Sequence, residues 1–531
     1  MATLEAPAHL GPRQPVGPFR NEPMSDFRKE ETSRAMRAAL AKVRSELGRE
    51  YDLVIGGKRI RTKEKIRSIN PAKPSEVVGL HQKAGREHAE PAIQAALEAF
   101  ESWKQVPVEE RAALLLRTGD ILRARKYEYM AWLVFEVGKN WAEAEGDLAE
   151  TIDFCEYYSR EALRLSNVQP AVQLPGERDL LEYIPLGVGA VIPPWNFPAA
   201  IMAGMTLAAI VCGNTVVLKP SSDSPTIAAK FFEALLEAGM PDGVVNFCPG
   251  SGATFGNAVV EHPKTRFIAF TGSKEVGLDI HSRAAQPRPG QIWIKRTVLE
   301  MGGKDAIVVD ADANLDEAVE GVAQAAFGFQ GQKCSACSRA IVDERIYDVF
   351  LERLKDRVGR MSIGDPAENK NLGPVINESA MKSIQEYIEV GRKEGRLIAG
   401  GGRAEGAGEG YYLQPTIIAD VAPTARMAQE EVFGPVLAVI RSRNFEDGLA
   451  IANNTEFGLT GAVYTSSPEK IERAKREFHV GNLYINRKCT GAICGAHPFG
   501  GFNMSGTDSK SGGPDYLYMF SQGKSIGEKI A

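Results

Sequence analysis

Ala190-Val-Ile-Pro-Pro194, Thr215-Val-Val-Leu-Lys219, Val244-Val-Asn-Phe-Cys248 and Phe267-Ile-Ala-Phe-Thr271 are four short β-rich runs, and what lies between them decides the fold. Between the second and third, Ser224 stands as an N-cap, Pro225 opens the first turn, Ile227, Phe231 and Leu235 recur on one face, and Gly239 stops the helix. Strands alternating with helices of this length predict βαβ units and a parallel sheet. Near-continuous apolar strands suit a sheet covered on both faces. A second alternating region begins at Ala306-Ile-Val-Val309 and runs to about Asn486.

Upstream, the first fifty residues read as an arm: Pro18-Phe-Arg-Asn-Glu-Pro23 is extended, and Thr32 to Leu47 has helical spacing with Met36, Leu40 and Val43 on one face. Short strands follow from Tyr51 to Ile69. Helices are expected over Glu87 to Trp103, Glu110 to Lys126 and Glu143 to Leu165. The glycine-rich stretch Gly400 to Gly410 is a loop to which the sequence assigns no function. No repeat of 20 to 50 residues is present.

The chain has 531 residues, 44% of them hydrophobic and 25% charged, with net charge −5. Those values are ordinary for a globular protein. The slight acidity argues against a nucleic-acid-binding surface but leaves room for a small acidic substrate. Seven cysteines in so long a chain are not a disulfide scaffold. The apolar run Ala199 to Cys212 is too short to span a bilayer. A cytoplasmic location with no membrane partner is the expectation.

Two sets of residues suggest chemistry. Gly250-Ser-Gly252-Ala-Thr-Phe-Gly256 follows a strand and opens a helix, where backbone can approach a pyrophosphate; it reads equally as a glycine-rich turn with no ligand. Cys334, in Gln332-Lys333-Cys334-Ser335-Ala336-Cys337, is a nucleophile, half a redox pair, or half a zinc site. The histidines show no metal-ligand pairing, so no metal is expected. A cysteine acting on a carbonyl needs thiolate character, an oxyanion donor and a base. Lys333 is placed to lower the thiol pKa. Asn196 in Pro194-Trp195-Asn196-Phe197 ends a strand, and Glu300 in Leu299-Glu300-Met-Gly302-Gly303-Lys304 precedes a glycine pair. Together these are the parts for thioester chemistry.

At these residues the sequence resembles the aldehyde dehydrogenase superfamily. Glu300 lies 34 residues before Cys334, and Lys219-Pro220, Phe270-Thr271-Gly272-Ser273, Glu431-Val-Phe433-Gly-Pro435 and Pro498-Phe499-Gly-Gly501 follow the family's order. Within it, the opening Pro18 to Pro23, Gly331 to Arg339, Ala149-Glu150-Thr-Ile-Asp-Phe154 and Asn486-Arg-Lys-Cys-Thr490-Gly491-Ala492 resemble the branch that oxidises glutamate γ-semialdehyde to glutamate in proline breakdown.

The resemblance implies an α/β protein with a Rossmann-type dinucleotide-binding domain, an α/β catalytic domain and a small β flap. Residues 1–50 form the helical arm, 51–167 and 184–300 the NAD-binding domain, 301–510 the catalytic domain, and 168–183 with 511–531 the flap. It implies that Cys334 attacks the aldehyde, Asn196 and the Cys334 backbone N–H hold the oxyanion, and Glu300 activates water. Lys219 would bind the adenosine ribose, Ser273 the pyrophosphate, and Glu431 with Phe433 the nicotinamide ribose. Trp195, Ser222, Gly252, Thr271 and Gly272 would line the same groove. For the substrate, Lys333, Ser335, Gly491 and Ala492 would hold the carboxylate, Glu150 the ammonium, and Phe197 and Phe499 the aliphatic middle.

Many members carry Glu where this chain has Ser222, so NAD is expected as cofactor with NADP accepted more weakly. The flap's open edges imply a homo-oligomer, at least a dimer. Three alternatives remain: a related semialdehyde dehydrogenase, for instance for succinate semialdehyde; a catalytically silent binding protein, against which Asn196, Glu300 and Cys334 together argue; and a DNA-binding bifunctional protein, for which the arm is too short and too little basic.

Overall fold

The computed structural model describes residues 17–167, 170 and 172–530. Two seven-stranded sheets carry the molecule. In the first, the order is Arg296–Glu300, Phe267–Thr271, Val188–Ile192, Thr215–Leu218, Val245–Phe247, Leu53–Ile55, Lys58–Ile60. The first five strands are parallel and the last two join antiparallel. The order reverses beside Val188–Ile192, so a crevice opens at the carboxyl ends there, the usual ligand position in such sheets. Asn196, Lys219, Ser273 and Glu300 all lie at or just past carboxyl ends of these strands.

The second sheet runs Arg396–Ala399, Thr416–Ala419, Val436–Ser442, Arg339–Asp343, Ala306–Val309, Thr460–Tyr464, Asn482–Ile485, parallel except for the first strand. Strand Ala306–Val309 begins shortly after strand Arg296–Glu300 ends, so the two sheets share one short connection.

The helix Pro225–Glu237 buries Ile227, Phe231 and Leu235 as its spacing predicts. Its cap is a correction. Ser224 occupies the N-cap position, yet its hydroxyl makes no capping bond. The buried carboxylate of Glu136 accepts from the N–H groups of Thr226 and Ile227, each at 2.7 Å. A carboxylate at a helix N-terminus meets both the open N–H groups and the positive end of the dipole.

Glu136 belongs to a helix, Lys126–Val137, that the sequence reading missed. Every residue from Tyr129 to Val137 is buried; a helix that is apolar all round shows no stripe, so periodicity cannot announce it. The arm helix spans Glu30–Arg44 with Met36, Leu40 and Val43 buried. The glycine run opens as one irregular wide turn, Gly252–Gly256, before the short helix Asn257–Glu261.

The flap region holds a two-stranded antiparallel ribbon. One strand, Glu177–Pro185, pairs antiparallel with Ser521–Lys529 over nine residue pairs. Gln173 and Leu174 close onto Asp179 through hydrogen bonds. Residues 168, 169, 171 and 531 of the expected flap lie outside the described residues, as do residues 1–16 of the arm.

Candidate active site

A cavity of about 380 Å³ at the crevice is lined by Trp195, Asn196, Thr271, Gly272, Ser273, Cys334, Glu431 and Phe433, among others. It shares Ser221, Phe270 and Val276 with a second cavity of about 460 Å³ that holds Lys219, Ser222 and Gly252. The two form one groove along the strand ends. A larger depression of about 670 Å³ beside Gly400–Ala407 holds no nucleophile.

Cys334 sits partly exposed to this groove, while Cys337 is buried and donates to the Arg339 carbonyl at 3.5 Å. The C-x-x-C spacing therefore places only one sulfur in the cavity. The loop before the nucleophile is strained: Phe329 and Gln330 have φ of 49° and 55°, and Gly331 follows at 66°. Left-handed backbone costs a non-glycine residue roughly 1–2 kcal/mol, so surrounding contacts must hold it. A Cβ on Gly331 would lie 2.2 Å from the Gly434 carbonyl, so glycine is obligatory there. The Gln332 side chain accepts from the Ile376 N–H at 2.9 Å, and the Gln332 carbonyl accepts from the Asn196 amide at 3.1 Å. Asn196 thus clamps the loop with one amide hydrogen and retains a second, lining the cavity beside Cys334.

Glu300 ends strand Arg296–Glu300. Its carboxylate accepts from the Ser509 hydroxyl at 2.5 Å and the Gly501 N–H at 3.2 Å. Burial nonetheless raises its pKa to about 7, against the lowering by these donors. That is the range in which a general base works best near neutral pH.

The expectation that Lys333 lowers the thiol pKa is overturned. Its ammonium pairs with Glu143 at 2.8 Å. Burial, followed by the carboxylates of Asp305, Glu431 and Glu300, pushes the Cys334 thiol well above its ordinary value. Glu431 is itself raised to about 7 by burial, so several acids share this pocket.

A pH prediction follows with its sign. Glu300 must be ionised to take a proton, so turnover should fall about tenfold per unit below a pH near 7 and level off above it. Glu300→Gln should remove that inflection together with most of the turnover. A wild-type kcat profile flat from about pH 6 to 8 would contradict the assignment.

The groove fits a dinucleotide. Lys219, whose pKa burial lowers to about 8, gives hydrogen bonds to two carbonyls, Pro220 and Gly250, which leaves one donor for a hydroxyl. A Cβ on Gly302 would lie 2.3 Å from the Glu431 carboxylate, so its absence lets Glu431 approach the groove. Phe433, at φ 55°, meets Trp195 edge-on at 5.6 Å between ring centres. Beside Ser222, Asp223 and Asp279 also line the outer cavity, two carboxylates the sequence reading did not weigh against a 2′-phosphate.

Behind Phe197 lies a wall the sequence reading saw only in part. Helix Trp141–Leu165 presents Glu143, Asp147 and Glu150 on one face, three and four residues apart. Glu143 holds Lys333, and Asp147 holds Lys139 at 2.9 Å with both side chains fully buried. The Lys139 ammonium stands 3.7 Å over the Phe197 ring and 4.7 Å over Phe329. Glu150 has no ion-pair partner among the described residues. Burial and the neighbouring carboxylates of Asp147 and Asp153 raise its pKa to about 8. Lys139, Asp147 and Phe329 carry no motif, and nothing in their local sequence marks them.

The remaining substrate candidates stand on other segments of the chain. Arg487 ties down the Thr490 and Gly491 carbonyls at 3.1 and 2.9 Å. The N–H groups of Gly491 and Ala492 donate to no protein group among the described residues. The Ser335 carbonyl accepts from Thr460 and from Cys489. Phe499 is partly exposed, its backbone paired with Ser511.

This strand order, with a cysteine, an amide and a carboxyl at its switch point, defines an aldehyde-oxidising dehydrogenase. The aldehyde dehydrogenase family model matches residues 59–526, and the chain belongs to that family. A 1-pyrroline-5-carboxylate dehydrogenase of Geobacillus kaustophilus (strain HTA426) is 56% identical over 514 residues, covering 97% of this chain and 99% of the relative. A variant of the Thermus thermophilus 1-pyrroline-5-carboxylate dehydrogenase superposes with TM-score 0.96 at 53% identity, covering 97% of this chain and all of that one. The Thermus enzyme with bound NAD superposes at 0.95, again at 53% identity and with the same coverage.

Proposed function

We propose that the chain oxidises L-glutamate γ-semialdehyde, the open form of 1-pyrroline-5-carboxylate, to L-glutamate with NAD, as a step of proline degradation. One observation carries the substrate assignment. Of three acids on one helix face, two hold lysines and the third, Glu150, holds none. A partly buried carboxyl without a cation is a place for the substrate's ammonium. The free N–H groups of Gly491 and Ala492, with Lys333 and Ser335, receive its carboxylate, and Phe197 and Phe499 flank its methylenes.

In this reading Cys334 gives its proton to the ionised Glu300 carboxylate, which releases it to solvent, and the sulfur adds to the aldehyde carbon. The Asn196 amide and the Cys334 N–H stabilise the negative oxygen of the resulting thiohemiacetal. The hydride acceptor that takes this adduct to a thioester would be supplied by NAD held in the groove. Lys219, Ser273, Glu431 and Phe433 position that cofactor, with Trp195, Ser222, Gly252, Thr271 and Gly272 lining its groove. Glu300 then takes a proton from water as it attacks the thioester carbon and returns it to the departing sulfur, so that the C–S bond breaks and Cys334 leaves as the thiol. NADP is accepted more weakly.

The test is selectivity. Glu150→Gln is expected to lower kcat/KM for glutamate semialdehyde about thirtyfold, the scale of a lost charge-assisted contact. Succinate semialdehyde lacks the ammonium and should change much less. Equal losses on both substrates would refute the assignment.

The flap supports a homo-oligomer: its two strands leave both outer edges unpaired among the described residues, with Leu174 and Ile530 more than half exposed beside them. Light scattering should give at least a dimer, and a monodisperse monomer would be the contrary result. No described helix is long and apolar enough to cross a membrane. All seven cysteines are free thiols, which fits a cytoplasmic location.

A further inference from the structure

The extended opening Pro18-Phe-Arg-Asn-Glu-Pro23 has no part in the chemistry above, yet it touches the helix that carries Glu150 and the loop that follows Gly491 and Ala492. Asn21 donates one amide hydrogen to the Asp153 carboxylate at 2.8 Å and one to the Cys494 carbonyl at 2.9 Å. A side-chain amide has two hydrogens, and both are used. Asp153 lies one helical turn beyond Glu150, and Cys494 lies two residues beyond Ala492.

The contact is built, not incidental. Asp153 is only 5% exposed, and its two carboxylate oxygens take their hydrogen bonds from the strap: the Asn21 amide and the Glu22 N–H at 2.6 Å. The Glu22 side chain is fixed by Arg123 at 2.9 Å. The Phe19 ring packs edge-on against Tyr157 and covers Gly495, where a Cβ would lie 3.0 Å from it. The loop holding Gly491 and Ala492 is thus held between strap and helix.

We infer that Asn21 is a positioning residue that sets the separation between the ammonium-binding wall at Glu150 and the carboxylate-binding loop at Gly491–Ala492, and so tunes selectivity for amino-acid semialdehydes. This rests on the substrate reading above. A short aldehyde without those two charged groups uses neither wall and is indifferent to their spacing.

The test is steady-state kinetics of the full chain with glutamate semialdehyde and with propanal, for wild type, Asn21→Ala and Asn21→Asp. Asn21 is exposed, so neither variant opens the core. The kcat/KM ratio of glutamate semialdehyde over propanal should fall about tenfold in Asn21→Ala, the scale of losing a hydrogen bond to a charged group, with the loss in KM. Asn21→Asp removes the donor by changing one group and should fall at least as far. A ratio unchanged in both variants, or equal losses on both aldehydes, overturns the inference and makes the strap structural only. Glu150→Gln, run alongside, separates the two readings. If it lowers the glutamate semialdehyde rate while the Asn21 variants keep the wild-type ratio, the strap inference fails and the substrate site stands. If Glu150→Gln has no effect, the ammonium assignment itself fails, whatever Asn21 does.

Discussion

Cys334→Ala is expected to produce no NADH from any aldehyde, at any pH, while still binding NAD. Among the described residues no other thiol lines the cavity. Cys337 is the nearest in sequence, but it is buried with its thiol directed at the Arg339 carbonyl, outside the residues lining the cavity. Asn196→Ala should be milder, at about 10²- to 10³-fold in kcat, the usual loss when one preorganised oxyanion donor is removed. Asn196→Ala also frees the nucleophile loop from its clamp at the Gln332 carbonyl, so part of its loss comes from that loop. NADH formation by Cys334→Ala at more than trace rates, with NAD binding by calorimetry intact, would remove the covalent route.

Asp147→Ala carries the second large effect, on stability. The Lys139–Asp147 pair is fully buried, and the other Asp147 oxygen accepts from the Ala200 N–H at 2.8 Å, at the start of helix Ala200–Val211. Removing the carboxylate leaves an ammonium in a space lined by Phe197 and Phe329, whose ring faces offset only part of its lost hydration. Breaking one side of a buried pair typically costs 3–5 kcal/mol, whereas replacing both sides by apolar groups is often neutral. The melting temperature of Asp147→Ala should therefore drop by several degrees. Lys139→Met added to it should recover part of the loss. If the double variant melts lower than Asp147→Ala, the ion pair is not the source. Activity should fall as well, because the segment Asn196 to Ala200 hangs from this carboxylate.

Much of the molecule was legible locally. The strands Val188–Ile192, Thr215–Leu218, Val245–Phe247 and Phe267–Thr271 fall where four apolar β-rich runs stand, because hydrophobic spacing is a property of a few consecutive residues. Cys334, Asn196 and Glu300 were recognisable because each sits in a short motif whose glycines and prolines shape the backbone around it. The helix Lys126–Val137 was not legible, since it has no polar face to give it a period. Nor was the true cap of helix Pro225–Glu237: Glu136 reaches it from 90 residues away, and Ser224 offered a plausible local substitute.

By itself the sequence determined the alternation that makes a doubly wound sheet, the order of the motifs and the cysteine proposed as nucleophile. Only the tertiary structure decided which charges neutralise one another. Lys333 reads locally as the neighbour of Cys334, yet its partner is Glu143, 190 residues away, and burial, followed by the carboxylates of Asp305, Glu431 and Glu300, pushes the thiol well above its ordinary value. Asp147 takes Lys139, and Glu150 is left over. Periodicity and propensity act between residues a few positions apart, but Coulomb energy and desolvation depend on distances in space. Those distances exist only after the two sheets and the helix Trp141–Leu165 have come together.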